Sequence, residues 1–197
     1  MKTNGVQERL GVACIILFMA EVLLVVLSWL LSAMRLDGVR SLLSGEGIRW
    51  FLGSFSEITG SPPLVWLLLL FSSFGCLQKS GVLSFRRNYR DRIALRVSAF
   101  LFMAYVVVIA LLTLAPHAIL LSATGELFPS AFSRSIIPLL AFGISLFGIA
   151  FGMMAGRMNT AGAILYALSF GVSKGAPFLI IYILLMQFYA SLHFVFG

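Results

Sequence analysis

Five apolar stretches, at residues 11–34, 63–85, 94–114, 136–156 and 177–196, take up most of this 197-residue chain. A helix needs about 20 apolar residues to cross a hydrocarbon core about 30 Å thick, so each stretch is long enough, or nearly so, to span a bilayer. In hydrocarbon every backbone N–H and C=O has to be paired within the protein, which leaves helices and closed barrels as the spanning structures. A barrel would show short segments alternating between apolar and polar residues, and these stretches are continuously apolar. The expected fold is an all-α polytopic membrane helix bundle with about five transmembrane helices, forming a single transmembrane domain over residues 1–197. Composition agrees, because only 11% of residues are charged and the mean hydropathy is +1.04, whereas a soluble domain carries about 25% charged residues. The first stretch is longer than the roughly 7–15-residue apolar core of a cleavable signal, so it is expected to be retained as a span.

A net charge of +7 would suit nucleic acid, but its placement does not. Lys79, Arg86, Arg87, Arg90, Arg92 and Arg96 crowd the connection between the second and third spans, Lys2 and Arg9 precede the first, and Arg157 follows the fourth. With the N-terminus inside, all of them face the cytoplasm, as the positive-inside rule requires. The other side keeps Arg35, Arg40, Arg49 and Arg134, partly offset by Asp37, Glu46, Glu57 and Glu126. Arg86, Arg87, Arg90, Arg92 and Arg96 are read as a topology anchor within reach of anionic lipid. Membrane lipid, not nucleic acid, is the expected partner of this charge.

The longest connection, residues 35–62, mixes Val39, Leu42, Leu43, Ile48, Trp50, Phe51, Leu52 and Phe55 with Arg40, Ser41, Ser44, Glu46 and Arg49. That pattern predicts an amphipathic helix over Val39–Phe55, lying at the outer interface with Trp50 at headgroup level. Ser61-Pro62-Pro63 then ends it and opens the second span, and Pro177 opens the fifth in the same way. In the fourth span Gly148, Gly152 and Gly156 recur every four residues, a small-residue stripe that lets two helices approach closely. The stripe predicts a helix-packing contact within the chain or an oligomer interface. Ala161–Gly175 is apolar but carries Gly162, Gly171, Gly175, Ser169, Ser173 and Lys174. A short glycine-rich interfacial helix is the expectation, with half of a broken span as the alternative.

Polar chemistry inside the spans is sparse. Glu21 lies about 11 residues, or about 17 Å at helical rise, from a start near Leu10, which puts it close to the midplane. An ionised carboxylate there is expensive and marks a candidate intramembrane polar site, with Lys174 as partner if Ala161–Gly175 enters the membrane. The other reading is a protonated Glu21 bonded to a serine, tyrosine or carbonyl of a neighbouring helix. Gln187 and Tyr189 in the fifth span, with His193 near its end, make a second polar group, and Gln187 is expected to bond across helices. The chain has two histidines far apart in sequence and seven acids mostly in connections, with no recognisable catalytic or phosphate-loop motif. Cys14 and Cys76 sit in apolar runs without metal or disulfide spacing. No enzymatic activity, metal or cofactor is expected.

The segment Val39-Arg40-Ser41-Leu42-Leu43-Ser44-Gly45-Glu46-Gly47-Ile48-Arg49-Trp50 resembles part of the AbgT family of p-aminobenzoyl-glutamate transporters, and the similarity continues through Pro62-Pro63-Leu64 into Gln78-Lys79-Ser80-Gly81. The family usually has an acidic residue at the position of Gln78. A second, less specific block starts at Ala94-Leu95-Arg96, passes Thr124-Gly125-Glu126-Leu127 and Ser133-Arg134-Ser135-Ile136-Ile137-Pro138, and reaches Gly148, Gly152, Gly156 and Gln187-Phe188. Family members are more than twice as long and are built from inverted repeats with re-entrant hairpins. This chain passes from near Phe85 directly to the helix that would open the second repeat, and it ends soon after Gln187. Ala161–Gly175 also departs from the family, which has a more polar, lysine-bearing helix there.

The resemblance thus implies the scaffold and dimer-forming helices without the hairpins that carry ion and substrate contacts, and no binding residue transfers to this chain. It implies a non-enzymatic scaffold or accessory subunit of a bacterial inner-membrane complex, as a homodimer or with another membrane protein. The alternative is a compact ion-coupled secondary transporter for a p-aminobenzoyl-glutamate-like or drug substrate, using Glu21.

Five spans predict an N-terminus inside and a C-terminus outside. Reporter fusions after Arg92 and after Gly197 should give cytoplasmic and external signals respectively, and cytoplasmic signals at both would refute the odd number of crossings.

Overall fold

The computed structural model describes residues 5–35, 38–84, 88–114 and 131–197, and their regular structure is helical. The elements are α1 (Gly5–Ala33), α2 (Gly45–Gly53), α3 (Phe55–Thr59), α4 (Pro62–Ser80), a 3-10 turn (Val82–Ser84), α5 (Tyr89–Leu114), α6 (Ala131–Met154) and α7 (Ala161–Phe196). Five of them, α1, α4 with its 3-10 extension, α5, α6 and α7, are long and apolar enough to cross a membrane. The chain is therefore an all-α integral membrane protein. Its internal contacts divide it into two compact units, Met1–Val65 with Ala176–Gly197, and Trp66–Gly175.

The fifth span differs from its sequence-based limits. Ala161–Gly175 is neither a separate interfacial helix nor a re-entrant half, because α7 runs unbroken for 36 residues, about 54 Å at 1.5 Å per residue. Thr160 supplies the start, with its hydroxyl accepting from the Ala163 N–H at 3.2 Å. Pro177 sits inside the helix instead of opening it. It removes one backbone donor, a loss that membrane helices tolerate when the remaining ladder holds.

In the first unit α1 packs by one face. Leu24 and Ser28 are buried, and Glu21 is half-buried, whereas Phe18, Leu23, Val26 and Trp29 stay exposed as a lipid-facing span requires. Leu24, Leu42 and Val195 form the core, with Val25, Phe51, Phe188 and Leu192 around it. The expected amphipathic helix over Val39–Phe55 is shorter than predicted. Ser44 caps α2 by accepting from the Gly47 N–H at 3.0 Å, so the helix cannot start earlier, and residues 39–42 tuck inward instead. There the Arg40 N–H donates to the Val195 carbonyl at 3.0 Å, pairing a terminal carbonyl of α7 that its own helix leaves open. Trp50 stacks on Phe194, with centroids 4.4 Å apart.

In the second unit α4 and α7 meet backbone to backbone. A Cβ at Gly171 would run into the Phe71 carbonyl and lie 2.8 Å from the Gly75 nitrogen, and one at Gly75 would lie 2.7 Å from the Gly171 Cα. Ala167, Gly171 and Gly175, all buried, form the α7 side of this contact. Glycine here is a steric requirement, not a helix breaker. α5 and α6 pack through Phe102 and Phe147, edge to face at 6.0 Å, and through the Tyr105 hydroxyl, which donates to the Leu139 carbonyl at 2.9 Å.

Replacing Gly171 with Leu should push α4 and α7 apart. Overpacking costs about 1–3 kcal/mol, and the upper end is expected because the obstructing atoms are backbone. Gly162→Leu is the control, since the nearest atom to a Cβ there is 4.0 Å away. Thermal unfolding in mild detergent should show a large loss for Gly171→Leu and little change for Gly162→Leu.

Candidate functional site

α1 and α7 carry most of the polar chemistry within the first unit. Ser191 donates its hydroxyl proton to Glu21 Oε1 at 2.6 Å. Glu21 therefore has a serine of another helix as its partner, the second of the two arrangements expected for it. Gln187 lies one turn before Ser191 on α7, on the same face, and is buried with 4% exposure. Among the described residues, neither Gln187 amide atom nor Glu21 Oε2 has a hydrogen-bond partner. Such buried, unsatisfied groups cost about 1–3 kcal/mol each, so their concentration on one face makes Glu21, Gln187 and Ser191 the candidate site. Gln187 does not make the cross-helix bond expected of it.

Farther along α1, the Ser28 hydroxyl donates to the Val25 carbonyl at 2.8 Å and accepts from the Leu42 N–H at 3.1 Å. This serine ties the residue 39–42 segment to α1. Tyr189 is exposed, and His193 lines a cleft of about 510 Å³ with Arg40 and Trp50 at the end of α7.

Lys174, in the second unit, has contacts of its own there. Its ammonium donates to Gln78 Oε1 at 3.4 Å and lies 4.9 Å from the Phe170 ring centroid. The only ion pair among the described residues joins Arg157 and Asp91 at 3.0 Å.

The glycines of the fourth span turn on their own chain. Gly148 faces Cys76, where a Cβ would come within 3.3 Å of its side chain, and Gly152 faces Met158. Gly156 lies beyond the helix end at φ +74°. It terminates α6 with the Arg157 N–H on the Gly152 carbonyl at 2.8 Å and its own N–H on Met153 at 3.0 Å, a Schellman turn that needs left-handed backbone. The third member of the predicted stripe is thus a helix cap, and a Cβ there would also run into the Arg90 guanidinium.

Of the topology anchor, Arg86 and Arg87 lie outside the described residues, as do Thr124–Leu127 of the family-like block. Arg90, Arg92 and Arg96 fall on the first turns of α5, which starts earlier than the apolar stretch. Arg90 Nε donates to the Met154 carbonyl at 3.4 Å at the end of α6. Arg157, which the charge count placed only as a flanking cation, donates to the Ser80 carbonyl at 3.0 Å at the end of α4. Cations at helix C-termini satisfy open carbonyls and oppose the negative end of the dipole.

Sequence reading missed Ser191, although the signal was present. Gln187, Ser191 and Val195 recur every four residues, so a serine in line with a buried glutamine belongs to the packing face. Comparison with protein-family models, curated proteins and solved structures returns no match for this chain.

Ser191→Ala removes the bond that Glu21 receives. Interhelical hydrogen bonds in membranes average about 0.6 kcal/mol and reach about 1.7, and a loss of about 1 kcal/mol is expected in an unfolding titration. The same substitution in a Glu21→Leu background should have almost no effect.

Proposed function

We propose that this protein is a non-enzymatic membrane scaffold, a shortened relative of the AbgT-type transporters that serves as a structural or accessory subunit. The observation that carries the reading is the commitment of its packing features to its own chain. Glu21 is bonded to Ser191, and Gly75, Gly148 and Gly171 each meet another element of the same unit. A transport pathway needs polar groups turned on a cavity and elements that exchange partners, whereas close backbone contacts favour a fixed frame. One exposed apolar surface open to a second copy or another membrane subunit in place of lipid is the outer face of α1, with Ile15, Phe18, Val22 and Trp29 exposed. Placement in a bacterial cytoplasmic membrane, with the N-terminus inside, belongs to the same proposal and rests on the charge asymmetry.

A second reading, the compact ion-coupled transporter, draws on one specific observation. Glu21 Oε2 on α1 and the Gln187 amide on α7 are buried without partners among the described residues, which leaves acceptors and donors for a proton or ion.

Glu21→Gln separates the two. An amide fills nearly the same space and still accepts from Ser191, so a scaffold should keep its expression and its oligomeric state unchanged. A transporter should lose ion-coupled uptake with expression intact. Photo-crosslinkers at Phe18 and Trp29 in native membranes should give protein adducts of one size. A wild-type chain that is strictly monomeric and yields lipid adducts only would overturn the scaffold.

A further inference from the structure

In the second unit, the ends of α4, α5 and α6 enclose a cleft of about 500 Å³ whose walls include Gln78, Lys79, Asn88, Arg90, Asp91 and Arg157. Small-molecule sites span about 300–1,000 Å³, so the cleft is large enough to hold a ligand. Its electrostatics select the sign. Arg157 and Asp91 are bonded to each other at 3.0 Å, and Arg157 is held further by the Ser80 carbonyl. Lys79 and Arg90 have no carboxylate partner among the described residues. The cleft therefore carries two positive charges in excess.

Both cations are positioned and keep donors to spare. The Lys79 ammonium lies 4.0 Å from the Phe170 ring centroid and 4.9 Å from that of Tyr166. Such stacking orients an ammonium without occupying its three N–H donors. Arg90 uses Nε on the Met154 carbonyl, which leaves its terminal nitrogens without a hydrogen bond among the described residues. Asn88 adds a neutral amide at the start of α5, whose first N–H groups have no intrahelical acceptor.

A tetrahedral anion with several acceptor oxygens satisfies this set, and a phosphate does so with charge-assisted bonds. The cleft lies where α4, α5 and α6 end, the level at which phospholipid phosphates sit while their acyl chains stay in the bilayer. We propose that the cleft is a phosphate-binding site, and that its ligand is the headgroup phosphodiester of an anionic phospholipid. The recognition is local to Lys79 and Arg90. It is distinct from a diffuse attraction by the whole basic connection.

The test uses the full chain in neutral detergent micelles, with the thermal unfolding midpoint as the reading, since a ligand that binds only the folded state raises it. Short-chain phosphatidylglycerol should raise the midpoint to a plateau, and short-chain phosphatidylcholine and inorganic phosphate at the same concentration should not. Lys79→Gln with Arg90→Gln should weaken the phosphatidylglycerol response about 25-fold. Arg92→Gln with Arg96→Gln removes the same charge from exposed positions outside the cleft, and should change it less than about twofold. If the first double variant does not fold, Lys79→Gln alone leaves the Arg90 contact intact and should weaken the response about fivefold. Equal weakening in the two double variants would show diffuse attraction and overturn the site. An equal response to inorganic phosphate would overturn the lipid as ligand, and no response to phosphatidylglycerol would overturn both.

Discussion

Hydrocarbon offers a backbone amide no partner, and each unpaired group there costs several kcal/mol, so the chain has to close its hydrogen bonds within itself. The ladders of five long helices do most of this, and the remaining problem is concentrated at helix ends. The solutions are specific. Gly156 turns the chain left-handed so that α6 closes on its own N–H groups. Arg157 reaches the last turn of α4, Arg90 the last turn of α6, and the Arg40 N–H the last turn of α7. The side chains of Arg157 and Arg90 thus finish helices whose terminal carbonyls would otherwise stay open.

Association between the helices follows from a second property of lipid. Leucine gains nothing by leaving acyl chains for another helix, so contact has to come from close approach and from hydrogen bonds. Both are present, in different parts of the chain. Gly75 and Gly171 let α4 and α7 touch at the backbone, whereas Ser191 and Glu21 join α7 to α1 through side chains. The first contact has no polar group to exchange, and the second leaves Glu21 Oε2 and the Gln187 amide unpaired. Any function that needs a proton, an ion or a polar partner inside the membrane is best placed at the second.

How much of this was legible in the sequence depends on the length scale of the signal. Spans and helical class follow from composition and rise per residue, because the bilayer thickness is an external ruler. The end of each element did not follow so easily. Glycines and a proline at Gly171, Gly175 and Pro177 read locally as breaks, yet α7 continues through all three. Two of those glycines are required by a neighbour about a hundred residues away in sequence, as the Gly75 and Phe71 contacts demonstrate. The regular Gly148, Gly152, Gly156 spacing marks close contacts at all three positions, but its last member belongs to a turn, which the spacing alone does not reveal.

By itself the sequence determined that this chain crosses a membrane as helices, with its cations massed on one set of connections, because hydrophobicity and charge act on each segment separately. Only the tertiary structure decided that Glu21 meets Ser191, that Lys174 and Lys79 gather around Phe170, and that Arg90 and Arg157 converge on one cleft. These are choices between partners far apart in the chain. They rest on which helix faces can approach without a Cβ in the way, a quantity that no window along the sequence contains.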